Sequence, residues 1–402
     1  MNPVQPITHP ASSDEIIALL RSLATPLGTE KVSLAAANGR ILRETVQAAE
    51  DQPAFDRSAV DGFVIRLDDP AAEFHLVDEI RAGDWKPRAL QLGETVRIST
   101  GGALPAHDVQ VVMKEDVQVN AGRVYVVRRN PATNIRRRGE DARAGQTLLE
   151  AGTRLPPGAL ALLASLGQAE PAVTRLPRVL HLATGNEIVP PEKTPRRGQI
   201  RDSNSILVRS FLGHWQITPD QRRVPEDEAR AIAECGKASL NDTDVLLISG
   251  GASVGEHDFT RRLLEHFGFE ILLSKTNTRP GKPLIVARRG RQLAFGLPGN
   301  PLAHFVCLNV FVRAALEGLA GTQDDGFQTG TLSAALEAGG NARETFWPAQ
   351  AGGRDGRVQL TALPWSSSGD LTSLARANAL LRLRAGQTDL SAGATVEFRF
   401  TI

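Results

Sequence analysis

The stretch that decides the fold of this 402-residue chain reads DVLLISGGASVG, residues 244–255. Its first half, Val245 to Ile248, is short and wholly apolar, which is typical of a strand buried on both faces of a sheet. Its second half is rich in glycine and serine and leads toward a predicted helix at Phe259 to Phe267. Because glycines let backbone N–H groups approach an anion and a helix N-terminus favours negative charge, the stretch predicts an anion-binding loop. The alternatives are a turn that binds nothing and a nucleophile elbow at Ser253, which the preceding glycine pair disfavours.

On either side of this stretch, short apolar runs alternate with amphipathic segments. Strands are predicted at 179–183, 245–248, 284–287 and 293–296, and helices at 203–212, 225–238, 259–267 and 302–316. This alternation predicts a doubly wound, parallel α/β domain. In such a domain, ligands bind beyond the carboxyl ends of the strands.

The rest of the chain has a different texture. A predicted helix from Asp14 to Leu23, with a cap among Ser12, Ser13 and Asp14, opens the fold, and short β-rich runs punctuated by glycine and proline follow it. Short alternating runs return after the α/β segment. The predicted units are a helical or linker domain (1–31 and 149–177), an inserted β domain (32–148), the α/β domain (178–327) and a C-terminal β barrel (328–402).

The composition limits the kinds of partner and site. The chain has 46 Lys and Arg against 45 Asp and Glu, a net charge of +1, which argues against a nucleic-acid surface spread over the molecule. Its two cysteines, Cys235 and Cys307, are far apart, and its eight histidines lack metal-ligand spacing, so neither a disulfide framework nor a zinc site is expected. The N-terminal residues lack a secretory pattern and the apolar runs fall short of the ~20 residues that span a membrane. A cytoplasmic protein is predicted.

Two further loops lie at predicted strand ends. RPGKP, residues 279–283, follows Lys275 and combines two positive charges with prolines that stiffen the chain and a glycine that permits close approach. LPGNP, residues 297–301, ends the next strand, and its last proline begins a helix. A solvated basic turn is the ordinary alternative for such Lys and Arg residues. With the glycine-serine stretch, these loops predict one pocket whose fixed positive charges suit a pyrophosphate.

Several carboxylates also fall near the predicted strand ends. Glu187 and Asp202 follow strands, while Glu226 and Asp258 begin helices. An acid at a helix start is favoured by the dipole without any ligand. If these carboxylates converge at one edge of the sheet, their oxygens could hold a hard cation such as magnesium.

Three motifs in the predicted β domain carry polar groups: FDRSAVDGF at 55–63, RISTGGALP at 97–105 and NIRRRGED at 134–141. The second offers hydroxyls and bare backbone that suit an oxyanion. The third packs three arginines against two acids; Arg binds phosphates bidentately, but such runs are usually a solvated face. Each motif alone is a weak indication.

Seven motifs taken in order resemble the molybdopterin molybdenumtransferase family, which includes MoeA and the gephyrin E domain. They are FDRSAVDG (55–62), RISTG (97–101), NIRRRGED (134–141), ATGNE (183–187), SGGASVG (249–255), PGKP (280–283) and LPGNP (297–301). Their order over nearly the whole chain carries the resemblance.

The resemblance implies an elongated homodimer of four-domain subunits, with the active cleft between the α/β domain of one subunit and the β domain of the other. Adenylylated molybdopterin would bind through the loops at 249–255 and 280–283, with molybdate and magnesium nearby. The enzyme would exchange copper for molybdenum at the dithiolene and release AMP. The molybdopterin adenylyltransferase of the same route is a possible partner, and no nucleic acid or membrane is implied.

The resemblance also assigns roles to individual residues. Those implied in catalysis are Asp61, Thr100, Glu187, Asp258, Lys275, Lys282 and Arg343. Those implied in substrate binding are Ser249, Gly250, Gly251, Ser253, Gly255, Arg279, Pro280, Gly281, Pro298, Gly299 and Asn300. The implied metal ligands are Glu187, Glu226 and Asp258. Cations would neutralise phosphate and molybdate, and carboxylates would hold magnesium and assist loss of oxide ligands, without a covalent nucleophile.

The chain departs from the family pattern at a few positions. Arg57 stands where many members have Asn, Val60 where Met is usual and Phe63 where Tyr is common. Glu226 stands where Asp is usual, and Arg279 where some members have Lys. Most of these changes keep charge or bulk. Residues 366–370, SSSGD, match a serine-containing loop of the family only loosely, which puts a site role for them in doubt.

Two other functions compete with the transferase. A molybdopterin adenylyltransferase would share the α/β domain and a related glycine loop, but the additional domains and the Asp61 and Thr100 motifs disfavour it. A non-catalytic scaffold is the second alternative, because animal relatives also cluster other proteins. The presence of Asp258, Lys275 and Lys282 argues against a purely structural role.

Overall fold

The computed structural model describes residues 5–225, 227–237, 240–250, 259–322, 326–354 and 356–401. Contacts divide the chain into two compact units. We call them the inserted unit (Ser33–Asn38 and Leu42–Pro171) and the main unit (Met1–Val32, Gly39–Ile41 and Ala172–Ile402). Residues 149–171 thus group with the inserted unit, whereas the sequence prediction grouped them with the N-terminal helix. The four-part division of the chain remains a prediction.

The described residues form helices and strands whose bounds follow in chain order. The helices are α1 Ser13–Leu23, α2 Leu34–Ala37, α3 Pro157–Ser165, α4 Asn204–Gly213, α5 Glu228–Lys237, α6 Phe259–His266, α7 Pro301–Cys307, α8 Arg313–Ala320 and α9 Leu371–Leu374. The strands up to residue 174 are β1 Thr29–Lys31, β2 Val46–Gln47, β3 Arg57–Ser58, β4 Gly62–Arg66, β5 Glu73–Ile80, β6 Glu94–Ile98, β7 Val109–Met113, β8 Val117–Asn120, β9 Arg123–Val126, β10 Ile135–Arg136, β11 Thr147–Leu149 and β12 Ala172–Thr174. The later strands are β13 Val179–Thr184, β14 Ile188–Val189, β15 Ile200–Arg201, β16 Asp220–Val224, β17 Val245–Ser249, β18 Glu270–Leu273, β19 Thr278–Arg279, β20 Ile285–Arg289, β21 Gln292–Leu297, β22 Gln328–Leu332, β23 Glu344–Arg354, β24 Arg357–Ala362, β25 Ala379–Leu383 and β26 Thr395–Phe400.

A six-stranded sheet in the order β16-β13-β17-β21-β20-β18 organises the α/β part of the main unit. The first four of these strands are parallel, as predicted, and every residue of β13 and β17 is buried. Strand β20 pairs antiparallel with both of its neighbours, β21 and β18, which makes the sheet mixed. Strands β20 and β21 are antiparallel because a turn of only two residues joins them, and Gly290 in this turn adopts φ +61°. A parallel pair would need a crossover of a dozen residues or more. The parallel strands β13, β17 and β21 therefore present their carboxyl ends at one edge.

One long helix runs through the core of the main unit. Helices α7 and α8 are joined by a π-helical turn at Leu308–Val312 and form a continuous helix, Pro301–Ala320. By length and composition this helix could cross a membrane, but 83% of its most apolar window is buried inside the fold. It packs against α1. The helix is therefore the apolar centre around which the main unit folds.

The C-terminal segment forms a closed barrel in the order β23-β24-β22-β26-β25, because β25 pairs again with β23. This confirms the predicted barrel. The short strand β19 from the α/β part adds to β23 in parallel, with Thr278 opposite Glu344 and Arg279 opposite Thr345. The pairing places the loop that follows β19 beside the start of β23.

The N-terminal helix is tied to this barrel by polar side chains. The predicted cap is present, since the Ser12 side chain accepts a hydrogen bond from the Glu15 N–H. Next to it, the Ser13 N–H donates to Glu344 Oε2 at 3.1 Å, and Arg382 donates to Ser13 Oγ at 2.9 Å. Glu344 and Arg382 are themselves buried and ion-paired. A buried charged pair without partners would be costly, so these bonds fix α1 against the last domain of the chain.

The inserted unit is built on a sheet in the order β7-β4-β6-β5-β9-β8 with a core of aliphatic side chains. Its three consecutive arginines each have carboxylate partners. Arg136 pairs with Glu140 and Asp141, Arg137 with Asp56 and Arg138 with Asp51. These pairs hold the loop at 134–141 against the segment around residues 51–56.

Candidate functional site

The carboxyl ends of three parallel strands come close together in the main unit. Gly250, after β17, has φ +89°, and a Cβ there would lie 2.6 Å from the Thr184 carbonyl oxygen at the end of β13. Its N–H donates to the Leu297 carbonyl oxygen at the end of β21. A Cβ on Gly299 would lie 3.8 Å from Gly250 Cα. Only glycine fits at position 250, and the predicted residues Gly250 and Gly299 lie side by side.

A row of hydrogen-bonded polar side chains runs from the surface to Ser249, another predicted binding residue. Arg209 donates to Gln221 Oε1 at 2.8 Å, which leaves the Gln221 amide group to donate to His181 Nδ1 at 3.0 Å and to the Ser205 carbonyl oxygen. His181 Nδ1 is therefore the acceptor, so the ring proton lies on Nε2, which donates to Ser249 Oγ at 2.7 Å. Burial lowers the pKa of His181 to about 3, so the ring is neutral.

These hydrogen bonds determine what the Ser249 hydroxyl can do. Because Ser249 Oγ accepts from His181, its own proton is left to donate to another group. An anion at the strand ends would be such a group. His181 was not among the predicted site residues, since a histidine inside an apolar strand gives no signal until its partner on the neighbouring strand is known.

A pocket of about 240 Å³ opens beside these strand ends. Its lining joins the two predicted loops, Arg343 just before β23 and the serine-rich loop at 366–368. The lining residues are Arg279, Pro280, Gly281, Lys282, Pro283, Pro298, Asn300, Ala303, Arg343, Trp365, Ser366, Ser367 and Ser368. We call this the cationic pocket. Seven predicted site residues meet in it: Arg279, Pro280, Gly281, Lys282, Pro298, Asn300 and Arg343.

Two buried threonines shape the loop that carries the cations. The hydroxyl groups of Thr276 and Thr278 lie 2.7 Å apart and contact the carbonyl oxygens of Gly281 and Pro280 at 3.1 Å each. Gly281 has φ +108°, and a Cβ on it would lie 3.3 Å from Cys307 Sγ on α7. The loop is thus hydrogen-bonded from within and packed against the core helix, which fixes the position of its charged residues.

Among the described residues that line it, the pocket holds three cations and no carboxylate. Within the part of the chain that the structure describes, Arg279 and Lys282 have no hydrogen bond or ion pair through their charged groups. Arg343 makes one long contact, at 3.4 Å, to the Thr278 carbonyl oxygen. The Arg279 guanidinium instead lies 5.0 Å from the centre of the Trp365 ring. The positive charge of the pocket is therefore left for a ligand.

The serine-rich loop supplies neutral donors to the same pocket. Ser368 Oγ accepts a hydrogen bond from Asn300 at 2.8 Å, and Ser367 Oγ accepts one from the Gly369 N–H at 3.3 Å. Their hydroxyl protons have no acceptor among the described residues. The Ser368 carbonyl oxygen accepts from the Leu302 N–H, which fixes the loop at the start of α7. The role of this loop was in doubt from the sequence, and its place in the pocket depends on that long-range contact.

The structure does not bring every predicted residue into this pocket. Lys275 and Glu187 are exposed and do not line it. Asp202, named above as a possible metal ligand, uses both carboxylate oxygens on Ser205 and Arg223. Gly251, Ser253, Gly255, Glu226 and Asp258 lie outside the described residues. Among the residues described, no group of three or more His, Cys, Asp or Glu side chains could hold a metal ion.

The predicted pair Asp61 and Thr100 forms a separate cluster in the inserted unit. The Thr100 N–H and hydroxyl both donate to Asp61 Oδ1 at 2.8 Å. Lys114 reaches Asp61 Oδ2 at 3.3 Å. These hydrogen bonds, with the charge of Lys114, lower the pKa of Asp61 to about 2 and keep it ionised. The sequence analysis missed Lys114 because it lies 53 residues away on the end of a neighbouring strand.

Comparison with known proteins bears on the whole chain. Three family models match: "MoeA N-terminal region (domain I and II)" at residues 11–167, "Probable molybdopterin binding domain" at 181–318 and "MoeA C-terminal region (domain IV)" at 331–400. A molybdopterin molybdenumtransferase of a Nostoc species is 32% identical over 98% of this chain and 94% of its own length. The Bacillus subtilis protein of that name is 34% identical over 92% of this chain and 89% of its own.

The fold agrees with these matches. The crystal structure of a molybdopterin biosynthesis MoeA protein from Pyrococcus horikoshii has a TM-score of 0.79 and 28% identity, and the match covers 98% of this chain and 100% of that one. The predicted fold class is confirmed by this likeness. The matches to N- and C-terminal regions outside the α/β domain also disfavour the adenylyltransferase alternative. The chain belongs to the molybdopterin molybdenumtransferase family, transferases of molybdenum cofactor biosynthesis, as its ordered motifs predicted.

Proposed function

We propose that this chain inserts molybdenum into adenylylated molybdopterin with release of AMP, and that the cationic pocket holds molybdate for the transfer. The observation that carries the proposal is the pocket lining, which among the described residues has three cations, three serines and no carboxylate. Molybdate is a tetrahedral dianion. Positive charges and hydroxyl donors are the groups that compensate such an ion for the water it loses on binding.

The size of the pocket supports a compact ligand. Sites that bury a drug-sized molecule have volumes of roughly 300–1,000 Å³, and this pocket has about 240 Å³. It has room for an oxyanion and for an adjoining part of a larger substrate, but not for a whole pterin nucleotide. The remainder of adenylylated molybdopterin would therefore lie outside it.

The neighbouring strand ends are the proposed place for the phosphates of that substrate. Pro298 and Asn300 line the pocket, and Gly299 between them lies against Gly250 at the end of β17. Backbone N–H groups in glycine-rich turns suit phosphate oxygens, and the Ser249 hydroxyl has a proton to donate. The substrate would then extend from the loop at 249–255 to the loop at 280–283, and Lys282 would face the negative charge of both ligands.

Magnesium is part of the proposal through Glu187, Glu226 and Asp258. Of these, Glu187 lies within the described residues, and its carboxylate has no partner there, which fits an oxygen ligand for a hard cation. Bound magnesium would supply positive charge against the phosphates. Lys275, which precedes the pocket loop in the chain, is also proposed to supply positive charge against the phosphates.

Asp61 and Thr100 are proposed to act on the same reaction from the β domain of a second subunit of a homodimer. Two hydrogen bonds from Thr100 to Asp61 support this proposal, because they join the two residues into one group. The Asp61 carboxylate is kept ionised by these bonds and by Lys114. A cytoplasmic location and a partner that supplies adenylylated molybdopterin, such as the adenylyltransferase, belong to the same proposal.

The test is a defined assay with purified full-length protein. With adenylylated molybdopterin, molybdate and magnesium, AMP should be released, and the product should restore an apo-molybdoenzyme. Consumption of ATP with free molybdopterin would instead identify an adenylyltransferase. A folded protein that binds neither substrate, and that fails to restore a strain lacking the transferase at low molybdate, would support the scaffold alternative.

A further inference from the structure

Arg279 lies in the cationic pocket without the partner that an arginine usually has. Among the residues that the structure describes, no carboxylate or carbonyl group accepts a hydrogen bond from its guanidinium. A flexible side chain of this kind loses entropy when it is held in one position, so something must fix it if it is to meet a ligand in a defined place. The question is what holds it.

The one contact of the guanidinium that the structure records is with Trp365. Arg279 Cζ lies 5.0 Å from the ring centre, within the roughly 6 Å over which a cation is attracted to an aromatic face. Arginine suits this contact better than lysine, because its planar guanidinium can stack on the ring. The contact therefore gives a physical reason for Arg at position 279, where some family members have Lys.

Trp365 is itself held from the barrel side. Its ring packs edge to face against Trp347 with 5.7 Å between ring centres. The Trp347 Nε1–H donates to the Leu363 carbonyl oxygen at 2.7 Å, and Trp347 lies on β23. Strand β23 thus carries Trp347, Trp347 packs against Trp365, and the Trp365 ring contacts the Arg279 guanidinium. A braced aromatic ring offers a fixed surface to the guanidinium.

The π contact differs from an ion pair in what it leaves free. A carboxylate would take up two N–H groups of a guanidinium and cancel its charge. The face of an indole takes up no N–H group, so all five donors of Arg279 stay available together with the full positive charge. This combination of a fixed position and unused donors is what recognition of an oxyanion requires.

We infer that Trp365 is a positioning residue that holds the Arg279 guanidinium toward an oxyanion in the cationic pocket. The inference rests on the proposed function and adds to it the means by which one cation is oriented. Trp365 acts through Arg279 and need not touch the ligand.

The test is titration of molybdate into full-length protein by calorimetry, with tryptophan analogues placed at position 365 by site-specific incorporation. Successive fluorine atoms weaken the negative potential of the ring while changing its shape little. The dissociation constant should rise stepwise, to roughly threefold to thirtyfold for the most fluorinated ring. The same analogues at Trp85, which is 67% exposed in the inserted unit, should have no effect.

Substitutions provide a second readout. W365F should keep part of the affinity and W365L should lose more, while R279A should lose most. Adding W365L to R279A should then cost nothing further. A flat fluorine series with normal molybdate binding would overturn the inference alone, as would additive losses in the double variant. Absence of molybdate binding in the unmodified protein would instead overturn the proposed function.

Discussion

The arginines at 136–138 and the cations of the cationic pocket are used in opposite ways. In the inserted unit, Arg136, Arg137 and Arg138 each meet carboxylates at hydrogen-bond distance. In the main unit, the described residues that line the pocket with Arg279, Lys282 and Arg343 include no carboxylate. The denser run of positive charge is therefore the one that is already neutralised. A cation points to a ligand when its partners are missing, whatever the local density of charge.

The largest predicted effect is on the rate of the reaction, and it tests the distinction between the paired arginines and the pocket cations. K282A and R343A should each lower kcat/KM for AMP release about 100-fold, because a fixed charge opposite an oxyanion is removed from a partly enclosed site. K31A removes an exposed lysine of the main unit and should leave the rate unchanged. Rates of R137A or R138A that fall as far as those of the pocket variants would contradict the distinction between paired and unpaired cations.

His181 and His304 are basic side chains that are buried without charge. Their burial predicts that acid lowers the stability of the fold. Burial lowers the pKa of His181 to about 3 and of His304 to about 4. The unfolded chain binds these protons near pH 6.5, so the unfolded state holds more protons than the folded state below that pH. The free energy of unfolding should fall between pH 6.5 and 4, by at most about 1.4 kcal/mol per pH unit for each histidine.

Urea unfolding of the main unit at several pH values measures this slope. H181Q should make it shallower, since one of the two buried histidines no longer titrates. H214Q alters an exposed histidine and should leave the slope as it is. An unchanged slope in H181Q would show that His181 is not held neutral in the fold.

A smaller effect tests whether the Asp61 cluster works with the pocket of another subunit. D61A and K282A should each be inactive as homodimers. If the cleft joins two subunits, a mixed dimer has one intact cleft, so coexpression of both variants should restore about a quarter of the normal activity. The two proteins mixed without subunit exchange serve as the control. No recovery in verified mixed dimers would place all the required groups in one subunit.

The smallest effect concerns the paired arginines. R138A breaks an exposed pair with Asp51 and should lower the free energy of unfolding of the inserted unit only slightly, because water screens such a pair. The loss should shrink further at high salt. Thermal unfolding with and without added salt measures it. A large and salt-independent loss would mean that Arg138 has a role beyond its ion pair.

Sequence alone could locate what depends on local pattern. The apolar runs at 179–183 and 245–248 and the loops at 279–283 and 297–301 are defined by neighbouring residues, and they lie where a parallel sheet requires. The antiparallel pair β20 and β21 was open to prediction as well, because Gly290 separates two strands with no helix between them. Residues 149–171 were grouped differently because nothing in their sequence shows that α3 packs against α2.

The remaining site residues depend on contacts between distant parts of the chain. Trp365 and Ser368 reach the pocket because the barrel packs against α7, and His181 matters because β17 lies beside β13. The glycine-serine stretch that predicted an anion loop is described only up to Gly250, so its role stays a prediction.

The bonds between α1 and the barrel bear on synthesis of the chain. Ser13 leaves the ribosome early, but its partner Arg382 is added 369 residues later. At about 5–20 residues per second, α1 waits roughly 20–70 seconds for that bond. A nascent chain stopped before Glu344 lacks these bonds and keeps only the packing of α1 against the long helix, so protease should cut α1 faster there than in the full chain. Helix α1 thus gains its bonds to the barrel only after Arg382 has been made, which leaves a window for chaperones to bind it during synthesis.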